Sequence, residues 1–567
     1  MQLVKKILLC GLVVVGVAIL AVLVCAGILV IFPEAQIFGI SFMNTAASEM
    51  IYSNIDVESY DISTIKVISN DFNINIIQGS SDTKINTTIS NRVMGFTNSM
   101  QSNRTAHYDA SYNDGVLTIE LKEPNGVFFS RDTYLTLEVP HSYNGNIDVV
   151  FKTRNGVAKL GESETGHVNN FQVKNLTCTC EGGKGTINLD NTDVTGNLYI
   201  KNVIGRIEYT KDLTGSLTID SKIGTFIFGK VKNLYVGELK ENQTDLNDQN
   251  SYQSYEGSPA ITIKECEDLY YIATSGLLTV NKYVKGNLIV DTKTAELNIA
   301  TCVKEVAING EGSTININQI GNVDLNNENY HTSISTNANI TTTSGQITIN
   351  KSYLGVNIIT DSGKVTLKQM HDKVNVNSNN GVVDVSFNDG TSLREDTENE
   401  TQNQINHYIN EHYVNILTNY SGLAETLKIT SINGYIEAKN IRNTVNIQTE
   451  DSQINLDFIE VVGVSTVKTN SRQISVNAPI INNNNYRINC TRLKTSTRDF
   501  KVNMVDIQID KWKDLASVEG KIVVDDTNAS TKTVSLFIKN ADGATPNIIN
   551  LISDDGAMII NSKSLNQ

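Results

Sequence analysis

The sequence predicts an all-β fold, an elongated β-solenoid, attached to one N-terminal transmembrane helix and interrupted by a small helical insertion. Three observations predict it. Short runs alternate apolar and polar residues along most of the chain, a turn-and-triplet unit recurs every 18 to 20 residues, and one uncharged stretch near the N-terminus exceeds the length a bilayer demands. A chain of 567 residues is too long for one compact core, because cores stop growing at roughly 250 to 300 residues. The net charge of -15 and the lack of any basic stripe exclude nucleic acid as a partner, since an acidic surface repels phosphate.

The elements follow in order. Residues 1–6 form a short cytoplasmic tail, and residues 7–32 (ILLCGLVVVGVAILAVLVCAGILVIF) hold no charge and form the transmembrane helix. Lys5 and Lys6 precede it, and no Lys or Arg follows until Lys66, so the expected topology is single-pass in the cell membrane, N-terminus in the cytoplasm and the remainder outside. A cleaved signal peptide is the weaker reading, because its apolar region runs only about 7 to 15 residues. Residues 33–60 are expected as linker, 61–160 as a first β region, 161–390 and 429–567 as solenoid repeats, and 391–428 as the helical insertion.

The repeat is a turn residue, often Gly, followed two positions later by an apolar-polar-apolar triplet. Gly185 precedes Ile187 and Leu189, Gly205 precedes Ile207 and Tyr209, and Gly224 precedes Phe226 and Phe228. Gly345, Gly363 and Gly381 open three consecutive copies 18 residues apart, and Gly276, Ala295, Ser313, Gly434 and Ser452 hold the same place elsewhere. A unit this short cannot bury a core alone, so units must stack and share one. The triplet residues should then point inward, Gly should supply positive φ at corners, and the abundant Asn should serve turns or amide ladders between coils.

Two stretches break the rhythm. Residues 238–259 are polar and aperiodic, which predicts a surface loop. From Thr397 to Leu427 apolar residues fall at helical spacing, among them Ile405, Tyr408, Ile409, Tyr413, Ile416 and Leu417.

The stretch from Ile62 to Leu160 carries alternating strands in STIKVISNDFNINIIQG, a DGVLTIEL strand, and YLTLEVPHSYNGNIDVVFKTRNGVAKL, with the Asn155-Gly156 turn where Ser-Gly is usual. It resembles the bacterial putative-adhesin domain, a family of unknown function. The resemblance implies a β-solenoid and an envelope location, and it carries over no active site.

Catalysis needs convergent groups, and the sequence offers few. Asp220, Asp291 and Asp361 each end an apolar strand before a turn, several coils apart, where Asp ordinarily bonds its own backbone rather than a substrate. His407 and His412 stand five apart on the predicted helix, unlike the four-residue spacing of a zinc pair, and Glu411 falls four after His407. Asp525 and Asp526, and Asp554, Asp555 and Gly556, lack the spaced acids of a calcium loop. Cys178 and Cys180 share one face of a strand and are expected as buried apolar residues rather than metal ligands. The expectation is therefore a membrane-anchored, adhesin-like or envelope-scaffolding protein without catalytic residues, cofactor or metal, whose partners are the membrane and a cell-wall polymer, glycan or surface protein. The alternatives are an envelope-stress accessory or sensor, and a carbohydrate-active β-helix enzyme with acids on neighbouring coils.

Overall fold

The computed structural model describes residues 2–32, 36–37, 40–70, 73–98, 107–122, 126–152, 156–161, 171–181, 185–240, 249–321, 338–387, 427–442, 444–480, 485–504, 507–512, 522–538 and 546–563. The predicted helical insertion, with His407, Glu411 and His412, lies outside them except for Leu427 and Lys428, which begin the strand Leu427–Ile441 rather than ending a helix. The chain divides into two compact units, Met1–Ser251 and Tyr252–Gln567. Its secondary structure is nearly all strand after one helix, Gln2–Ile31, whose segment Cys10–Ile31 has a mean hydropathy of 3.2 and is long and apolar enough to cross a membrane.

In the first unit the expected linker carries a strand. Ile40–Asp56 runs antiparallel to Lys84–Asn98, which runs antiparallel to Gly126–Val139. Its partner lies some forty residues away in the chain, so no local pattern announces it. Parallel stacking already begins inside the region before residue 161. Thr64–Ser69 pairs in parallel on both sides, with Val116–Lys122 and with Asn146–Phe151, so the first coil in the chain is not the first in the stack. Asn175–Cys180, Leu198–Lys201, Leu217–Asp220 and Asn233–Val236 then continue that face. The predicted triplets point inward: Ile187, Leu189, Ile207, Tyr209, Phe226 and Phe228 are all buried. Cys178 stands in register between Val149 and Ile200 and is fully buried, so it serves as a small apolar member of an aliphatic column. All seven cysteines are free thiols.

The second unit stacks two parallel faces. One inward column runs Ile263, Val280, Ile299, Ile317, Ile349, Leu367 and Val385, each in register with the next. The segment 388–426 leaves the stack unbroken, since Val376 pairs with Ile429 and Val385 with Ala438 across it. At the far end the chain order inverts. Asn547–Ser553 lies between Val464–Thr469 and Tyr486–Leu493, and Met558–Lys563 lies between Ile474–Pro479 and Phe500–Met504. The last coil in sequence is thus inserted beneath the coil that precedes it. The outer coil is covered by antiparallel strands, Thr531–Ile538 against Tyr486–Leu493 and Ile507–Ile509 against Phe500–Met504, which protect an otherwise open sheet edge.

The corner glycines act differently from the expectation. Gly434 does have positive φ (142°), as does Gly276 (129°), but Gly345, Gly363 and Gly381 do not. Their requirement is closeness: a Cβ at Gly345 would strike the carbonyl oxygen of Ser313, at Gly363 that of Gly345, and at Gly381 that of Gly363. Three residues before many of the corners, though not before Gly276, stands a buried hydroxyl. Thr360 Oγ1 accepts the Gly363 N–H (3.1 Å), Ser378 Oγ that of Gly381 (3.1 Å), Thr449 Oγ1 that of Ser452 (3.3 Å) and Ser553 Oγ that of Gly556 (2.7 Å). Thr360, Ser378 and Thr449 form one inward column with Thr342 and Ser431, and the four accepting hydroxyls satisfy turn amides that the core hides from water. Thr342 Oγ1 instead donates to Thr360 Oγ1, and Ser431 Oγ to the Asn433 carbonyl (3.0 Å). Thr360→Val keeps the shape and removes the acceptor, leaving the Gly363 N–H and the Thr342 hydroxyl without it. A loss of about 1 to 3 kcal/mol is expected, read as a lower urea midpoint. An unchanged midpoint would mean that the hydroxyls are only fillers.

Candidate functional site

In a parallel stack every outward position repeats one coil later, about 4.8 Å away, so identical polar residues form ladders. On one face of the second unit, Asn375 Nδ2 donates to Asn357 Oδ1 (2.8 Å) and Asn357 Nδ2 to Asn339 Oδ1 (3.1 Å). On the other, Asn316 donates to Asn298 (3.0 Å) and Asn350 to Asn318 (3.2 Å). The terminal coils continue the practice, with Asn489 to Asn550 (2.8 Å), Asn503 to Asn561 (3.0 Å) and Asn561 to Asn477 (3.2 Å). An interior rung such as Asn357 spends one N–H and one oxygen lone pair on its two neighbours and has a second donor and acceptor that can face solvent or a ligand. The result is a rigid, regularly spaced array of amides.

The aspartates considered from sequence belong to this scaffolding. Asp291 and Asp361 accept amide protons from Asn309 (2.9 Å) and Asn379 (2.7 Å) one coil on. They stand three coils apart, roughly 14 Å by the coil spacing, beyond the reach of a carboxylate pair that hydrolyses one sugar bond. Asp220, in the first unit, is buried and accepts a hydrogen bond from the Tyr199 hydroxyl (3.2 Å); burial favours retention of the carboxyl proton and pushes the group above its usual range, against the attraction of Lys201. The folded state therefore binds this proton more tightly than the unfolded chain, and the site costs stability as pH rises from about 4 through the raised folded value. Asp220→Asn should raise the melting temperature near pH 7 and change it little near pH 3. A variant less stable at neutral pH would reverse the sign.

Asp525 accepts the Thr527 N–H (3.0 Å) and hydroxyl (2.7 Å), and Asp526 pairs with Lys494 (2.9 Å); these contacts hold both carboxyls below their usual range. Asp554 and Asp555 lie in the turn closed by Ser553 and Gly556, with Asp555 Oδ2 3.6 Å from Arg498 Nε. Among the described residues no three His, Cys, Asp or Glu side chains gather as metal ligands. The polar stretch expected as a surface loop is not all surface, since Tyr252 and Tyr255 are buried in the second unit. The corner hydroxyls were the signal left unread: Ser or Thr three residues before the turn glycine recurs at Thr342, Thr360, Ser378, Ser431 and Ser553.

No family model matches the chain, and no curated protein matches it. Solved structures similar to it include two bacterial proteins. One, named a putative cell adhesion protein from Clostridium sporogenes, is 6% identical with a TM-score of 0.15, over 92% of this chain and 100% of its own. The other, named a putative adhesin from Parabacteroides distasonis, is 11% identical with a TM-score of 0.16, over 75% of this chain and 97% of its own. At these TM-scores neither carries an argument about this chain.

Proposed function

We propose that this chain is a non-catalytic, single-pass membrane protein whose β-coils face outward and present their lateral faces for adhesion or envelope scaffolding. The observation that carries the reading is the amide ladder of Asn339, Asn357 and Asn375, a flat polar array matched to hydroxyl-rich or peptide polymers rather than to one small substrate. Lys5 and Lys6 before the apolar helix support a cytoplasmic N-terminus. The separation of Asp291 and Asp361 is consistent with a binding role. The test uses the full chain in lipid nanodiscs, sedimented with peptidoglycan, anionic wall polymers and whole cells. Retention on at least one surface, reduced by Asn339→Ala, Asn357→Ala and Asn375→Ala together, is expected; retention on none would sink the reading.

A further inference from the structure

The first unit holds a cavity of about 330 Å³ whose walls come from residues 57–63 and 142–146, with Lys174 from the neighbouring coil. Hydrogen bonds fix these walls. Asp56 Oδ1 accepts the N–H groups of Glu58 and Ser59 (both 3.1 Å), its Oδ2 accepts the Thr83 hydroxyl (3.3 Å), and the Ser63 N–H reaches the Gly115 carbonyl (2.9 Å). The floor is the buried Tyr143, whose hydroxyl donates to the Asn146 carbonyl (2.6 Å). Asn146 is itself held by the Asn175 amide (2.9 Å). A site built this way spends little ordering entropy on binding.

The groups left over define the ligand. Glu58, Asp61, Asn144 and Lys174 line the cavity, are exposed, and have no side-chain hydrogen-bond or ion-pair partner among the described residues. The turn that carries Glu58 and Asp61 also carries Tyr60, 51% exposed, packed edge-on against Tyr112, 45% exposed, at 5.6 Å between ring centroids. Tyr112 belongs to the hairpin whose Gly115 anchors Ser63. Neither ring lines the cavity itself, but Tyr60 stands on the turn between its unpartnered carboxylates and Tyr112 packs against it. An exposed aromatic pair on the same turn as free carboxylates is the chemistry that recognises a sugar: rings pack on its C–H face, and planar polar groups take its hydroxyls.

Other ligands fit less well. A peptide strand has no edge to join here, because Thr64–Ser69 is paired on both sides, and the apolar Val57 and Ile62 are buried rather than open to a side chain. Glu58 and Asp61 would repel an anion. We infer that the groove between residues 57–63 and 142–146 binds a short oligosaccharide without net negative charge, neutral or amine-bearing. The inference rests on the reading above, because it requires these coils to face outside.

The full chain in nanodiscs would be applied to an array of neutral and amino-sugar oligosaccharides, and the strongest binder titrated against three variants. Tyr60→Ala with Tyr112→Ala, and Glu58→Gln with Asp61→Asn, should each weaken binding by about tenfold or more, whereas Tyr60→Phe with Tyr112→Phe should stay within about threefold. Melting temperatures equal to the parent's identify the folded variants, and the exposed carboxylate pair keeps the test valid if the tyrosine truncation does not fold. No retained oligosaccharide, or binding unchanged in the carboxylate variant, overturns the groove. If whole cells are still bound and only the asparagine-ladder variants abolish that binding, the groove falls while the adhesive reading stands.

Discussion

Ending the chain at residue 545 is expected to destabilise the whole end of the second unit rather than shed one coil. In a simple repeat stack, the last segment of sequence is the outermost layer, and removing it exposes a single new edge. Here Asn547–Ser553 and Met558–Lys563 form the layer beneath, each hydrogen-bonded on both sides. Deletion strands Tyr486–Leu493 and Phe500–Met504 without a parallel partner and opens the edges of Val464–Thr469 and Ile474–Pro479. The fully buried Ile549, Leu551, Met558 and Ile560 are lost as well. At about 1.5 to 3 kcal/mol for each buried side chain, the removed contacts correspond to about 6 to 12 kcal/mol. The truncated chain should melt well below the parent and associate in a concentration-dependent way through the open edges, as measured by calorimetry and light scattering. A monomer with the parent's melting temperature would show that these strands do not bridge the end.

Gly363→Val should be among the most damaging single changes at a corner. The new Cβ would meet the carbonyl oxygen of Gly345, an atom fixed in the coil below, and the nearby Thr360 Oγ1 at 2.8 Å already serves the turn. Neither can yield without parting two hydrogen-bonded coils, which places the cost near the top of the overpacking range, about 3 kcal/mol. Gly312→Ala provides the contrast. Its Cβ would find nothing nearer than 3.6 Å, an ordinary contact, and its φ is not positive. It should be neutral or stabilising by about 0.4 to 1 kcal/mol through the unfolded chain. Equal effects from the two substitutions, in urea melts of the full chain, would refute the close-approach account of the corners.

The asparagine ladders and the inward triplets were legible because they obey local rules. Side chains alternate across a strand, so Ile187 and Leu189 share a face with no knowledge of the rest of the fold. A period near 18 brings each residue back over its predecessor, so Asn357 must meet Asn339 and Asn375 once stacking is granted. The corner hydroxyls were also written in the chain, but their meaning depends on burial: Thr360 looks like any turn threonine until the core closes over it. The groove was not legible at all. Tyr60 and Tyr112 stand far apart in the chain, and only the parallel pairing of Thr64–Ser69 with Val116–Lys122 brings their turns together.

By itself the sequence determined the class of fold, the apolar N-terminal helix and the residues that line the bore, because periodicity and hydropathy are properties of consecutive residues. Only the tertiary structure decided the order of the coils at the ends, the strand at Ile40–Asp56, and the reason for the corner glycines. Each of these is a choice among partners distant in the chain. Parallel strands of similar composition can pair in several orders, and in the order adopted the outer edges are the ones the antiparallel strands cover.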